Sequence, residues 1–130
     1  IGNPPYVVTN KRDFPKYKWN TDLYKMFFEL GLKTLMYTQG VLCYITPKFY
    51  MLNKEDNEMR EYFMDNIYVN FLAFCNPFQV VTENVISMMT NCKGLIPQKK
   101  VKIYRHNTEL KTFVEDIPLD LIYSRTSQRT

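Results

Sequence analysis

Four residues near the start of the chain, Asn3-Pro4-Pro5-Tyr6, combine types suited to one particular chemistry. An exocyclic amino group on an aromatic base is a poor nucleophile, because its lone pair is delocalised into the ring. Two acceptors placed on its two hydrogens draw it towards a tetrahedral geometry and free that lone pair. The Asn3 side-chain carbonyl offers one acceptor and the Pro4 backbone carbonyl the other. Consecutive prolines fix φ and donate no hydrogen bond, so the turn is stiff and its carbonyls are free for a ligand. Tyr6 adds a flat face on which an extruded base can stack, worth about 1–3 kcal/mol. Catalysis of this kind is positioning plus electrostatics and requires no general base of tuned pKa. Asn-Pro-Pro-aromatic arises by chance in roughly one chain of this length per thousand. The plainer reading of the same residues is a Pro-Pro turn that ends a strand.

A second group of residues follows at once. Lys11, Arg12, Lys16 and Lys18 face a single acid, Asp13, and are interleaved with Phe14, Tyr17 and Trp19. Residues 93–105 hold Lys93, Lys99, Lys100, Lys102 and Arg105 without any acid. Local excess of cations within a modest net charge of +4 is what phosphate contact requires, although it also suits a solvated loop.

Elements must position these groups. Residues 1–2 read as the last step of a strand, and Thr9 to Asn20 as a long loop. From about Thr21 to Tyr37 the spacing predicts a helix, with Tyr24, Phe27, Phe28, Gly31 and Leu35 on one face. Asn20 or Thr21 can cap it, with Asp22 in its first turn. The apolar run Val41 to Thr46 predicts a buried parallel strand closed by Pro47. Asn53 is expected to cap a second helix, Lys54 to Asn66, with Met59, Tyr62 and Phe63 inward. Strands are expected over Ile67–Cys75 and Glu83–Thr90 as an antiparallel pair, then over Val101–Arg105. A last segment, Ile117–Tyr123, includes Pro118, which suits the start of a helical turn.

These segments, in order, resemble the gamma-class amino-adenine DNA methyltransferases of restriction–modification systems. Asn3-Pro4-Pro5-Tyr6 resembles their catalytic loop, and Asp22-Leu23-Tyr24 with Phe27 is similar to the opening of their next helix. Gly40-Val41-Leu42 with Ile45-Thr46-Pro47 resembles their following strand, and Arg60-Glu61-Tyr62-Phe63 their next helix. Phe78, followed by Val85 and Ile86, is similar to the hairpin whose Phe packs on the target adenine. The resemblance covers residues 1–92 and implies an α/β fold: part of a Rossmann-like methyltransferase sheet, the half beyond the central strand, ending in an antiparallel hairpin. It implies catalytic roles for Asn3, Pro4, Pro5 and Tyr6, and target-base packing by Phe78. Asp22 and Phe27 would then lie beside the methyl donor, S-adenosylmethionine. Lys11, Arg12, Lys16 and Lys18 would hold duplex DNA around a flipped base, whose extrusion costs a few kcal/mol. Residues 93–130 would supply a linker and the start of a target-recognition region.

One departure is informative. The family holds its donor in a glycine-rich turn after the first strand, whereas this chain has only Gly2, Gly31, Gly40 and Gly94 and no G-x-G. It also opens on Ile1-Gly2-Asn3 without an initiator Met. The expectation is that most of the donor site lies outside these 130 residues, in a missing N-terminal half, and that the chain alone is inert. Other readings keep the loop but change the acceptor, to an RNA base or a protein glutamine. A further one makes the chain a non-catalytic DNA-binding module.

Composition narrows the field. A hydrophobic fraction of 45% is ordinary for a globular protein, and ten Tyr and nine Phe against four Gly describe an aromatic-rich core with few flexible turns. No apolar run approaches the ~20 residues a membrane helix needs, and no signal-peptide pattern opens the chain. Cys43, Cys75 and Cys92 form no C-x-x-C, so the expectation is reduced thiols in a cytoplasmic protein, without a metal site. His106, flanked by Arg105 and Asn107, reads as a surface residue.

Overall fold

A computed structural model of the chain describes residues 1–35, 39–76, 83–91, 98–106 and 112–123. Helix α1 spans Leu23–Leu35, strand β1 Val41–Pro47 and helix α2 Asn57–Asn66, with two 3-10 turns between β1 and α2 at Lys48–Met51 and Lys54–Asp56. Strands β2 (Ile67–Cys75), β3 (Asn84–Asn91), β4 (Lys100–His106) and β5 (Thr112–Pro118) follow, and the four-residue helix α3 (Leu119–Ile122) ends the described chain. No described helix is long and apolar enough to cross a membrane. Phe78 and Cys92 lie outside the described residues.

The five strands form one mixed sheet in the order β1-β3-β2-β4-β5. The expected antiparallel pairing of the 67–75 and 84–90 strands is present. The strand expected to be parallel, β1, has an antiparallel neighbour instead: β1 and β2 run in the same direction but are separated by β3, which is antiparallel to both. Parallel pairing within the sheet is between β2 and β4. The chain after residue 98 therefore extends the sheet that precedes it.

Register explains where the core sits. Leu42 lies opposite Met89, Thr46 opposite Val85, and Leu72 opposite both Ser87 and Ile103. These positions alternate with Cys43, Ile45, Ile86 and Met88, so one face of the sheet is the buried one. Against it α1 places Tyr24, Phe28, Leu32 and Leu35, and α2 places Met59 and Phe63, in one cluster that also takes in Leu119 and Tyr123. The opposite face carries Ile45, Ile86, Met88 and Phe71, all half-buried, with no described helix over it. Phe27 is not part of the α1 core face as the helical period suggested; it is 40% exposed.

Helix ends also differ from expectation. Asp22 is the residue before α1, and its Oδ1 accepts from the Tyr24 N–H at 3.3 Å, which makes it a cap and not a first-turn charge. Asn53 makes no side-chain cap. Its carbonyl accepts from Nη1 of the fully buried Arg60, which also donates to the Tyr50 carbonyl at 2.8 Å. The guanidinium thus ties the 50–53 segment to α2, sharing the Asn53 carbonyl with the Asp56 N–H.

A tyrosine pair closes the core. The Tyr50 and Tyr123 hydroxyls are 2.7 Å apart, and Ser87 Oγ is 3.1 Å from Tyr50. Burial pushes the Tyr50 phenol up to about 12, although its bonds to Ser87 and Tyr123 act against that, and burial raises Tyr123 further. Both groups ionise less readily folded than unfolded. The contribution of Tyr50 is therefore complete below pH 10, the ordinary tyrosine value, and is lost as pH rises through about 12, and that of Tyr123 is lost in the same direction at high pH. The melting temperature is expected to fall steeply above about pH 10, each tyrosine removing about 1.4 kcal/mol per pH unit, and Tyr50→Phe should blunt that slope. A pH profile of melting as steep for the variant as for the native chain would contradict this assignment.

Candidate functional site

The Asn-Pro-Pro-Tyr turn is fixed at both ends by the backbone. The Gly2 N–H donates to the Cys43 carbonyl at 2.9 Å, and the Ile45 N–H donates to the Gly2 carbonyl at 3.1 Å. This is a parallel bridge to β1 at Tyr44, so the turn leaves the sheet beside the carboxyl end of β1. Absence of a side chain at Gly2 matters, because a Cβ would stand 3.2 Å from the Tyr44 ring. Pro4 is buried, while Asn3, Pro5 and Tyr6 are exposed. The Tyr6 hydroxyl donates to the Ile45 carbonyl at 3.2 Å, and its ring meets Tyr24 edge-on at 6.1 Å. Burial, with a smaller contribution from Cys75, raises the Tyr6 phenol, which keeps it a donor at neutral pH.

Beyond Tyr6 the chain is clasped to the start of α1. The Val7 N–H donates to Asp22 Oδ1 at 3.0 Å, the Leu23 N–H donates to the Val7 carbonyl at 3.0 Å, and the Thr9 N–H donates to the Thr21 carbonyl at 3.1 Å. One carboxylate oxygen therefore holds both the helix end and the segment that follows the turn. Asp22 acts here on the backbone, a role its sequence position did not disclose.

The basic loop between the two sides of this clasp has its own internal supports. Asn20 Nδ2 donates to the Lys11 and Phe14 carbonyls at 3.2 and 2.9 Å. Oε1 of the buried Glu29 accepts from the Lys18 and Trp19 N–H groups at 2.7 and 3.0 Å. Trp19 packs edge-on against Tyr62 and Phe63 at 5.5 and 5.7 Å, so this aromatic anchors the loop to the core and is not part of its outer surface. Lys11, Arg12, Lys16 and Lys18 are all exposed, and among the described residues none of their side chains forms an ion pair.

A cleft of about 980 Å³ opens at the carboxyl end of β1, walled by Tyr6, Lys11, Asp22, Tyr24, Phe49 and Asn84 among others. Burial, reinforced by Asp56 and Asp22, raises the Tyr24 phenol far above its ordinary value. Of the residues singled out by sequence, the cleft brings together Tyr6, Lys11 and Asp22. Asn3, Phe27 and Arg12 are not in its walls, and Lys16 and Lys18 border a separate hollow of about 220 Å³ beside Trp19 and Glu29. Phe49 and Asn84 carried no sequence signal, since only the pairing of β1 with β3 brings Asn84 opposite Pro47. Among the described residues no group of His, Cys, Asp and Glu could hold a metal ion.

Comparison with known proteins bears on this arrangement. The structure is similar to a chain from a type I R-M system described for its complex assembly and conformational transition, with a TM-score of 0.66 and 12% identity, covering 81% of this chain and 23% of that one. It is also similar to the type IIG restriction endonuclease BpuSI, with a TM-score of 0.65 and 16% identity over 94% of this chain and 19% of that one. The chain thus spans about a fifth of the length of those structures and shares their fold, a mixed sheet with helices. No curated protein matches it. The family model of the Eco57I restriction-modification methylase matches residues 1–80, the stretch that contains the Asn-Pro-Pro-Tyr turn, the clasp, α1, β1 and α2. On that match, the chain belongs to the Eco57I restriction-modification methylase family.

Proposed function

We propose that this chain forms the acceptor half of a DNA adenine methyltransferase of a restriction–modification system. The observation that carries the reading is the stiff Asn-Pro-Pro-Tyr turn, held to β1 by Gly2 and clasped to α1 by Asp22, beside an open cleft. Asn3 Oδ1 and the Pro4 carbonyl accept the two hydrogens of the adenine amino group, and Tyr6 stacks on the flipped base. S-adenosylmethionine, when bound, supplies the electrophilic methyl group. The amino nitrogen held by Asn3 and Pro4 would accept that methyl group and release its surplus proton to solvent.

The chain's own residues offer the donor little more than the exposed ring of Phe27 and the neighbouring Asp22, so the remaining donor-binding part must come from elsewhere in the working enzyme. Phe78 would close on the base, and Lys11, Arg12, Lys16 and Lys18 would hold the flanking phosphates. Residues 1–92 would serve catalysis and residues 93–130 the start of target recognition, although β4, β5 and α3 share the same sheet and core.

The test is transfer of labelled methyl groups from S-adenosylmethionine to mixed-sequence duplex DNA by the full polypeptide that carries this chain, and by the chain alone. Methyl-adenine from the first and none from the second is expected. Label appearing in RNA or in protein glutamine instead would replace the acceptor. The exposed cations of the 11–18 loop suit contact with phosphates. Replacing both Lys16 and Lys18 by Ala should flatten the fall of log K with log salt by about 0.9 for each phosphate no longer neutralised. An unchanged slope would remove that loop from the DNA interface.

A further inference from the structure

Asn84 is 1% exposed and sits in the wall of the cleft, yet its Nδ2 has no hydrogen-bond partner among the described residues. Such a donor costs free energy in a folded protein, and buried amide groups are otherwise almost always paired. Its place in the sheet is specific. As the first residue of β3 it lies opposite Pro47, the last residue of β1, and opposite Cys75, the last residue of β2. The start of an antiparallel strand thus falls at the carboxyl ends of both its neighbours, which is the end of the sheet where α/β proteins bind ligands. Tyr6 borders the same cleft and is bonded to Ile45 of β1, close to Pro47.

We propose that Asn84 is the residue that reads the ring of the target base, donating from Nδ2 to one of its ring nitrogens. The inference rests on the adenine-methylating reading above. With both amino hydrogens committed to Asn3 and Pro4, the edges of adenine that remain are acceptors only: N1, N3 and N7. A donor in the wall of the cleft completes the recognition. It also disfavours a base whose corresponding nitrogen carries a proton, because two donors would then meet at a buried amide. Discrimination of this kind, by a polar group left unpaired with the wrong ligand, is stronger than any obtained from shape alone.

The experiment uses the full polypeptide and a duplex carrying its own methylated sequence, with the target adenine replaced in turn by its 1-deaza, 3-deaza and 7-deaza analogues. Asn84→Ala and the same-sized Asn84→Leu are compared with the native enzyme. On adenine, both variants should lose about 10- to 100-fold in kcat/KM. One of the three analogues should cost the native enzyme a similar factor and cost the variants nothing. If the variants match the native enzyme on adenine, or if every analogue costs native and variant enzymes alike, Asn84 has a packing role only and the inference falls. If the full polypeptide makes no methyl-adenine at all, the functional reading fails first and takes this inference with it.

Discussion

Replacing Asn3 by Ala in the full polypeptide is expected to reduce methyl transfer to DNA by at least about a hundredfold while leaving the fold intact. The magnitude follows from loss of one positioned polar group that stabilises charge as it develops, worth about 3 kcal/mol in the transition state. The fold should be indifferent because the Asn3 side chain is exposed and no hydrogen bond of the described structure uses it. Surface substitutions of that kind change stability by about 0.5 kcal/mol or less. Binding of DNA should also survive, since the phosphate contacts proposed above involve the 11–18 loop and not Asn3. The expected signature is therefore a collapsed kcat with a native melting temperature and near-native affinity for duplex DNA. Transfer at a tenth of the native rate or better would mean that Asn3 is not an acceptor for the amino group.

The largest expected effect on stability comes from Asp56→Ala. Lys25 Nζ lies 2.7 Å from Asp56 Oδ1, with side chains only 5% and 6% exposed, and also donates to Thr21 Oγ1 at 2.9 Å. Burial raises the Asp56 carboxyl above its ordinary value, and the nearby Lys25 and Arg60 counteract this only in part. Removing Asp56 would leave Lys25 charged within a packed wall, with only the exposed Glu55 at 3.9 Å. Breaking such a pair costs about 3–5 kcal/mol, which for a chain of this length lowers the melting temperature by roughly 10–20 °C. Substituting both partners, as Lys25→Met with Asp56→Leu, should recover most of the loss. If the single variant melts within a few degrees of the native chain, the pair is not holding α1 to the 54–56 turn.

The helix expected from about Thr21 to Tyr37 and the apolar run from Val41 to Thr46 are present as α1 and β1, because local periodicity and burial agree there, on the helix face at every named position but Phe27 and Gly31. So is the antiparallel pair at 67–75 and 84–90. The order of the sheet was not legible in the sequence: insertion of β3 between β1 and β2 is decided by pairing between segments far apart in the chain. Trp19 read as one aromatic among basic residues, whereas the structure shows it against Tyr62 and Phe63. Lys25 gave no sign of burial, since its counter-charge arrives from a turn beyond β1. In the candidate site, the sequence singled out Tyr6 and Asp22, which border the cleft, but not the backbone bonds that Asp22 accepts there. Asn84 was invisible because its position depends on register on both sides of its strand.

The clasp between residues 7–9 and 20–23 separates two jobs along the chain. Its hydrogen bonds close the loop at its base, so the stretch from Asn10 to Trp19 begins and ends at nearly the same place whatever path it takes between. Closing a longer loop of this kind adds only about 0.6 kcal/mol for each doubling of its length. Relatives or engineered variants can therefore lengthen, shorten or exchange that stretch without moving the turn that follows Gly2, provided that Asp22 and an anchor equivalent to Trp19 are kept. The loop is in that sense a graftable cassette and, on the function proposed above, diversity in substrate grip can accumulate there while the turn stays fixed.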